Sequence, residues 1–258
     1  MELNTVVCIK SVVLDAPNGK VVRNSDSCAL NPFDRPVIET ALRLREENGG
    51  KVTALSMGPE AGSLALYETM AMGVDRATLV CDPAFAGSDT LATSTTLAAA
   101  IQKLGPFDLV LFGTRTSDSD TGQVGPQTAV LLDLPMVTGV VNFEYKDSAL
   151  MVERKADEFI ERYEVSLPGA LTIHPSAIQA RDASLMGIET AFGRMAFEKM
   201  SQSDLDLSAK QVGEAGSPTR VISMKRIKRE RKCEFIDGSA EEQAEKLINH
   251  LKGSGLIG

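Results

Sequence analysis

The stretch "KVTALSMGPEAGSLALYETMAMGVDRATLVCD", residues 51–82, decides the fold class. It holds two short apolar runs, 51–58 and 76–82, separated by a helical segment, 59–73, that ends at a glycine. Nearly continuous apolar strands separated by helices are typical of a parallel sheet that is covered on both faces. The stretch therefore predicts a strand–helix–strand unit of an α/β fold.

The same alternation continues on both sides of this unit. Upstream, "TVVCIK" (5–10) predicts a buried strand, and "NPFDRPVIETALRLREENGG" (31–50) predicts a helix that stops at its two terminal glycines. Downstream, residues 84–100 predict a helix that begins with many hydroxyl side chains, and "FDLVLFG" (107–113) predicts a fourth strand. We therefore expect a mostly parallel, doubly wound sheet.

The second half of the chain has a different pattern. Past residue 135, two runs around Lys146-Asp147-Ser148 predict a hairpin, and 158–167 predict a further strand, so we expect an antiparallel extension of the same sheet. Between about 176 and 237 there is little periodicity, which indicates an irregular arm. Residues 239–255 predict a terminal amphipathic helix that begins with a capping box.

Composition excludes several classes of partner and site. A net charge of -8 and a pI near 5.0 argue against binding to nucleic acid or to a membrane surface, both of which are polyanionic. Four cysteines without a CxxC pair, and only two histidines, argue against a metal site. The sequence shows no leader pattern and no run of about 18 apolar residues, so we expect a cytoplasmic protein without membrane insertion.

Several motifs of enzymes are absent from the sequence. It contains no Walker A sequence, no GxGxxG after the first strand, no GxSxG elbow and no HExxH. These absences argue against the commonest phosphate-transferring, Rossmann, hydrolase and metalloprotease functions. We name no catalytic residue in this chain.

Polar residues follow the predicted strands at their carboxyl ends, the edge at which open α/β sheets bind ligands. Lys10 follows the first strand, a hydroxyl-rich stretch (88–96) follows the third, and "GTRTSDSDTGQVGP" (113–126) follows the fourth. A Gly-rich loop that enters a helix can present backbone N–H groups to a phosphate or pyrophosphate. The alternative is a plain surface loop with capping residues, but two such entries on neighbouring strands favour a nucleotide.

The two aspartates of this loop have a different expected role. Asp118 and Asp120 would repel a phosphate, so we expect them to accept hydrogen bonds from loop amides or ribose hydroxyls. A distant alternative for the whole chain is an ATP-binding or ATP-hydrolysing domain, but the sequence has no Lys-Ser/Thr motif that would activate a phosphate.

Five short motifs, in order along the chain, carry a resemblance to a known family. They are "NPFD" (31–34), "AMGVDRA" (71–77), "GTRTSDSDTGQVGPQTA" (113–129), "LPGALTI" (167–173) and "GSPTRV" (216–221). Together they resemble the β subunit of electron-transfer flavoprotein over nearly the whole chain. The resemblance implies a heterodimer with an α subunit that carries one FAD, and a β subunit that binds an adenine nucleotide. In ordinary members this nucleotide is AMP; in the electron-bifurcating branch it is a second FAD that faces an NAD site.

The resemblance also implies the residues of the nucleotide site. Adenosine contacts are expected at Cys8, Asn31, Asp34 and Met57, and phosphate and ribose contacts at Gly113, Arg115, Asp118, Asp120, Thr121, Gly122, Gln123 and Val124. The alternative for Cys8 and Met57 is an ordinary place in the core, where both residue types are common.

The hydroxyl-rich start of the third helix favours the bifurcating branch. "FAGSDTLATS" (85–94) resembles a stretch of that branch, and Thr90, Thr93 and Ser94 would supply donors for the additional phosphate of FAD. The alternative is that these side chains merely cap the helix and hydrogen-bond back to its carbonyls.

The segment 181–200 resembles the recognition loop of the family, in which a leucine anchors in a partner dehydrogenase. Leu185 matches that position, and the alternative is an ordinary core leucine. We therefore expect an α/β nucleotide-binding domain that includes this loop (1–200), and a C-terminal arm with the terminal helix that contacts the α subunit (201–258). The arm contains an excess of six positive charges within 219–232, which could face ferredoxin, the α subunit or solvent.

The resemblance implies a mechanism in which the cofactor carries the chemistry. NADH would deliver a hydride to the flavin held by this subunit. One electron would pass to ferredoxin or flavodoxin, and the other through the α-subunit FAD to an acyl-CoA dehydrogenase-like flavoprotein. The alternative is a non-bifurcating β subunit that binds AMP and serves a simple electron shuttle.

Overall fold

In the first half of the chain, strands and helices alternate as the sequence predicts. The strands form a parallel sheet and the helices cover it. The computed structural model describes residues 2–13, 27–146, 149–223 and 233–257. By their contacts these residues fall into two units, Met1–Ile222 and Ser223–Gly258.

The strands are β1 Leu3–Ile9, β2 Ser11–Val13, β3 Cys28–Leu30, β4 Gly50–Met57, β5 Arg76–Val80, β6 Leu109–Gly113, β7 Met136–Lys146, β8 Ala149–Ala156, β9 Phe159–Ser166, β10 Gly169–Ile173 and β11 Glu198–Met200. The helices are α1 Arg35–Asn48, α2 Leu64–Ala71, α3 Thr90–Leu104, α4 Val124–Leu131, α5 Leu185–Arg194 and α6 Ala240–Gly253.

Nine strands form the main sheet, in the order β11-β5-β4-β1-β6-β10-β7-β8-β9. The pairs from β11 to β7 are parallel, whereas β7, β8 and β9 pair antiparallel. The expected mixed α/β sheet with an antiparallel extension is confirmed. β2 and β3 form a separate antiparallel pair, which the sequence analysis did not predict.

The helices cover both faces of the sheet because successive residues of a strand point to opposite sides. On one face Val7 of β1 belongs to a core that also contains Leu42 of α1 and Leu66 of α2. On the other face Val6 belongs to a core with Leu97 of α3 and Ala129 of α4. This is the doubly wound arrangement, and it explains why the strands are apolar along their whole length.

The start of α3 shows what its hydroxyl-rich entrance does locally. Asp89 is the N-cap, and its carboxylate accepts hydrogen bonds from the backbone N–H groups of Leu91 and Ala92. Thr95 and Thr96 donate to the carbonyls four residues earlier. The hydroxyls of these two threonines therefore hydrogen-bond back to carbonyls of their own helix, which is the alternative given in the sequence analysis.

The expected irregular arm contains elements that the sequence analysis missed. Residues 185–194 form α5, and 198–200 form β11, which pairs parallel with β5. The apolar residues of α5 recur at helical spacing, at Leu185, Ile188, Ala191 and Phe192, and of these Ala191 alone is buried. This periodicity predicts a helix, and the sequence analysis overlooked the signal.

The C-terminal helix forms as predicted. Ser239 and Glu242 make a capping box at the start of α6, and none of the side chains of α6 is buried. The turn at 147–148 and most of the basic segment, 224–232, lie outside the described residues. The sequence analysis places a domain boundary at residue 200, whereas in the structure residues 201–222 group with the first unit. That the C-terminal arm contacts a partner subunit stays a prediction. In the described parts of the chain, every helix is too short or too polar to span a bilayer.

Candidate functional site

A buried asparagine joins two of the segments at the carboxyl edge of the sheet. Asn31 precedes α1, and its Nδ2 donates to Asp34 Oδ1 (2.9 Å) and to the carbonyl of Arg115 (3.0 Å). Its Oδ1 accepts from the backbone N–H of Ser117 (3.2 Å). The amide is thus engaged by the protein on both its nitrogen and its oxygen. Asn31 holds the loop 113–123 against the start of α1.

Asp34 is the second buried member of this junction. Its Oδ2 accepts from the backbone N–H of Lys10 (2.8 Å), and the residue is 3% exposed. Burial raises its pKa to about 7, although the hydrogen bonds from Lys10 and Asn31 lower it. A Cβ at Gly113 would collide with Asp34 Oδ1, so the close approach of β6 to this carboxyl requires glycine.

The outer part of the loop is held by a lysine. Lys10 Nζ donates to Asp118 Oδ1 (2.7 Å) and to Ser119 Oγ (3.2 Å). Burial would raise the pKa of Asp118, but the Lys10 ammonium and the hydroxyls of the loop hold it below the ordinary value. Asp118 is therefore ionised at neutral pH and accepts from the side chains of Lys10 and Ser119, while its expected contact with a loop amide or a ribose hydroxyl stays a prediction.

Four other predicted ligand residues of the loop are exposed, namely Arg115, Asp120, Thr121 and Gly122. Arg115 lies 3.4 Å from Asp120 and stacks over the ring of Phe33 at 4.7 Å. Asp120 and Gly122 adopt positive φ angles of 52° and 63°, which give the loop its sharp turns. Thr121 lies between them and is also exposed.

The N-termini of α3 and α4 lie side by side next to this loop. Thr90 Oγ1 donates to Gln123 Oε1 (3.1 Å). The hydroxyl of Ser94 lies within hydrogen-bond distance of three oxygens, those of Thr90 (2.7 Å), Val124 (3.2 Å) and the side chain of Gln127 (3.1 Å). Because Ser94 is fully buried, its hydroxyl supports the contact between the helices rather than the surface of the site.

The two helix starts differ in what they can still bind. In α3 the cap is filled by Asp89, whose Oδ2 also accepts from the backbone and hydroxyl of Thr219 (3.0 and 2.8 Å). In α4 Gln123 is the N-cap and makes no side-chain cap, so the first-turn amides of α4 lack that partner. Thr93, half-exposed on α3, makes no side-chain hydrogen bond within the described residues. Uncapped amides beside an unengaged hydroxyl suit an anionic oxygen such as that of a phosphate.

Cys8 and Met57 lie in or against the core. Cys8 of β1 is 7% exposed, and burial, together with the charge of Asp34, raises the pKa of its thiol. Met57 ends β4, packs against the same core and lines a small depression with Gly58 and Pro59. The side chain of Cys8 therefore belongs to the core, which is the alternative given in the sequence analysis. A contact of Cys8 with a ligand stays a prediction.

The predicted site residues fall in two places. The edge of the sheet brings together Asn31, Asp34 and the loop 113–124 with the first turns of α3 and α4. Leu185 belongs to a different surface, at the start of α5, where it is 88% exposed, so the alternative of a core leucine is excluded. The sequence analysis did not predict the hydrogen bonds from Thr219 to Asp89, because the two residues lie 130 positions apart and no local pattern connects them. Within the described residues, no cluster of His, Cys, Asp and Glu could hold a metal.

Comparisons with known proteins agree with this architecture. The family model described as "Electron transfer flavoprotein domain" matches residues 18–205. The chain is 37% identical over 261 residues to the electron transfer flavoprotein subunit beta of Thermoanaerobacterium thermosaccharolyticum, covering 99% of this chain and 100% of that protein.

Two further relatives are subunits of named reductases. The chain is 36% identical over 263 residues to the caffeyl-CoA reductase-Etf complex subunit CarD of Acetobacterium woodii, covering 99% of this chain and 100% of the relative. It is 33% identical over 264 residues to the acryloyl-CoA reductase electron transfer subunit gamma of Anaerotignum propionicum, covering 97% of this chain and 98% of the relative.

Proposed function

Because this chain belongs to the electron transfer flavoprotein family, among its β subunits, we propose that it pairs with an α subunit and holds an FAD at the edge formed by α1, α3, α4 and the loop 113–123. This FAD would be the second flavin of the heterodimer, and the heterodimer would be of the electron-bifurcating type.

The observation that carries the proposal is the pair of adjacent helix starts. AMP has one phosphate, whereas FAD has two and a ribityl chain, so FAD needs donors beyond an adenosine pocket. The uncapped first turn of α4 offers amides for one phosphate. On α3, Thr93 offers a hydroxyl for the second phosphate, and Thr90 would offer another by giving up its hydrogen bond to Gln123. These are the residues that would hold the pyrophosphate.

The rest of the site would shape the adenosine end. Asn31, itself held by Asp34, fixes the loop against the start of α1. The ion pair of Lys10, which directly follows β1, with Asp118 fixes the outer part of the loop. Since their side chains are engaged by the protein, we assign Asn31 and Lys10 a positioning role. Asp118 and Asp120 stay candidates for contact with ribose hydroxyls, and Gln123 stays a candidate for contact with ribose or phosphate.

The chain's own part in electron transfer is to bind and orient. A bound FAD would supply a two-electron acceptor for NADH that can release single electrons. We propose ferredoxin or flavodoxin as one acceptor, and an acyl-CoA dehydrogenase-like flavoprotein, reached through the α-subunit FAD, as the other. The names of the caffeyl-CoA and acryloyl-CoA reductase relatives support the second acceptor.

A specific observation favours a second candidate, an AMP-binding β subunit in a simple electron shuttle. The hydroxyls of Ser94, Thr95 and Thr96 are engaged inside the protein, and Asp89 already caps α3. If Thr90 and Thr93 were likewise only structural, the edge would need to hold no more than one phosphate.

The content of the purified heterodimer separates the two candidates. We expect denaturation to release two FAD and no AMP, and NADH to bleach the flavin absorbance without any dehydrogenase. One FAD and one AMP per heterodimer, with no response to NADH, would overturn the bifurcating assignment and leave the shuttle.

Substitution of the two threonines tests the site itself. Thr90→Val with Thr93→Val keeps the approximate volume and removes both hydroxyls, so the affinity of the β-site FAD should fall at least about tenfold, since hydrogen bonds to charged groups contribute ~1.5 to 3 kcal/mol each. The α-subunit FAD should stay bound. Equilibrium dialysis of the heterodimer against FAD measures both.

Two single variants control this experiment. Thr93→Val alone leaves the bond from Thr90 to Gln123 intact and should still weaken FAD binding. Thr95→Val removes a hydroxyl from the same helix that donates to the carbonyl of Leu91, so FAD affinity should not change. Equal losses of FAD affinity in Thr93→Val and Thr95→Val would show that the lower affinity comes from a general change in α3 and not from a lost hydrogen bond to FAD.

A further inference from the structure

One arginine ties the segment before α5 to the side of α1. Arg181 Nε and Nη2 donate to the two oxygens of Glu39 (2.8 and 3.1 Å). Nη1 and Nη2 donate to the two oxygens of Glu46 (2.6 and 3.0 Å). The backbone N–H of Arg181 also donates to Glu39 (3.1 Å). The guanidinium thus makes two forked contacts with carboxylates that lie two turns apart on one helix.

The burial of Glu39 makes this contact more than a surface ion pair. Glu39 is 2% exposed, and a buried carboxylate without partners is strongly unfavourable. Burial would raise its pKa, but the hydrogen bonds from Arg181 and from Arg43 hold it below the ordinary value. The bonds to Glu46 and Glu39 in turn raise the pKa of Arg181. Both partners therefore carry their charges across the physiological pH range.

The structure shows what lies immediately beyond this contact. Ser184 caps α5 by accepting from the backbone N–H of Gly187 (3.0 Å). Gly187 lies so close to the carbonyl of Ala71 on α2 that a Cβ would collide with it. At the other end of α5, Phe192 stacks on Tyr67 of α2 with ring centroids 5.0 Å apart. Helix α5 is thus fixed to α2 along its length and to α1 just before its start.

The fixed helix carries exposed apolar side chains at its tip. Leu185 and Met186 are 88% and 75% exposed, although they begin a helix that is otherwise packed on the protein. Exposed apolar side chains on a rigid support are suited to binding a partner, because no loop has to be ordered on association.

We propose that Arg181 is a positioning residue for docking: through Glu39 and Glu46 it holds the start of α5 so that Leu185 and Met186 are presented to a partner. The inference rests on the proposed function in one respect, the acyl-CoA dehydrogenase-like acceptor, and it takes from the family resemblance that this partner docks at Leu185. The role of Arg181 in ordering α5 is independent of that assignment and can be measured without the partner.

Three variants of the heterodimer test the proposal. Arg181→Ala removes both forks, and Arg181→Lys keeps the charge but cannot form them. Arg43→Ala is the matched control, because Arg43 Nε donates to the same carboxylate of Glu39 (3.1 Å) from within α1 and does not reach α5. All three are compared by hydrogen exchange and by steady-state electron transfer to the dehydrogenase.

We expect the amides of residues 184–194 to exchange roughly tenfold faster in Arg181→Ala, and to a lesser degree in Arg181→Lys, as the loss of charged hydrogen bonds implies. KM for the dehydrogenase should rise by a similar factor while kcat and flavin content stay unchanged. Arg43→Ala should leave exchange in α5 and KM as they are.

Unchanged exchange in α5, or faster exchange spread evenly over the sheet, would overturn the positioning role. Faster exchange with an unchanged KM would overturn its connection to docking. If KM were unchanged in Leu185→Ala as well, this result would contradict docking of the dehydrogenase at Leu185. It would not contradict the ordering of α5 by the contact of Arg181 with α1.

Discussion

Asp34 shows how one buried side chain shapes the edge of the sheet. Its carboxyl receives hydrogen bonds from β1 through Lys10 and from Asn31, and Gly113 of β6 passes directly against it. A carboxyl group that joins three segments in this way cannot be hydrated, and burial raises its pKa to about 7. The same burial that orders the loop makes its charge sensitive to pH near neutrality.

The shifted pKa of Asp34 predicts a pH dependence of stability. The carboxyl of Asp34 keeps its proton up to about pH 7 in the folded state, whereas in the unfolded chain it loses the proton near pH 3.8, its ordinary pKa. The contribution of Asp34 is therefore fully present below the unfolded pKa and is lost as the pH rises through about 7. For this group the free energy of unfolding should fall by on the order of 2 kcal/mol between about pH 5 and pH 8.

Urea denaturation of the heterodimer at the two pH values measures this effect. Asp34→Asn removes the titrating group and should flatten the pH dependence, whereas Asp133→Asn, on an exposed turn after α4, should not. Identical slopes in the parent protein and in Asp34→Asn would show that Asp34 does not keep its proton in the folded state.

At the scale of elements, α5 presents the surface that the sequence assigned to a partner. The helix rests on α2 through Ala191 and Phe192, while Leu185 points away from the protein. The sequence analysis did not predict this helix, yet the leucine on it was identified by resemblance. Its exposure is what a docking residue requires.

Leu185→Ala should weaken docking without harming the fold. Buried apolar anchors contribute about 2 kcal/mol or more at interfaces, so KM for the dehydrogenase should rise roughly thirtyfold, with heterodimer formation and flavin content intact. Val130→Ala, which truncates another exposed apolar side chain on α4 (78% exposed), is the matched control. A lower Tm with unchanged electron transfer would exclude the docking role of Leu185.

At the scale of the whole molecule, the chain is divided into a large α/β unit and a short C-terminal unit. Helix α6 has an apolar stripe, yet Leu247 and Ile248 remain 49% and 46% exposed within the described residues. An amphipathic helix with an exposed apolar stripe is typical of a binding element. We propose the α subunit as its partner.

Leu247→Asp with Ile248→Asp should therefore weaken the heterodimer, because charges would enter an apolar contact. Size-exclusion chromatography over a dilution series should show dissociation at a concentration at least about tenfold higher than for the parent protein. Asn249→Asp, which adds a charge on the opposite side of α6, should dissociate as the parent does. Equal stability of all three heterodimers would exclude this face of α6 from the subunit contact.

The sequence by itself determined the local structure and the class of the fold. Apolar runs, caps and glycine stops predicted the parallel strands β1, β4, β5 and β6, the helices α1 to α4, the antiparallel extension and α6, because each signal depends on neighbours a few residues apart. It also placed the polar loop 113–126 at the carboxyl edge of the sheet.

Only the tertiary structure decided how these pieces meet. β10 inserts between β6 and β7, Asn31 binds Arg115 and Ser117, Asp89 binds Thr219, and Arg181 binds Glu39. Each contact joins residues far apart in the chain, where periodicity and capping carry no information about pairing. Ser94 is a further example, because its hydroxyl was predicted to face a ligand. The packing of α3 against α4, which local patterns do not predict, directs this hydroxyl into the protein.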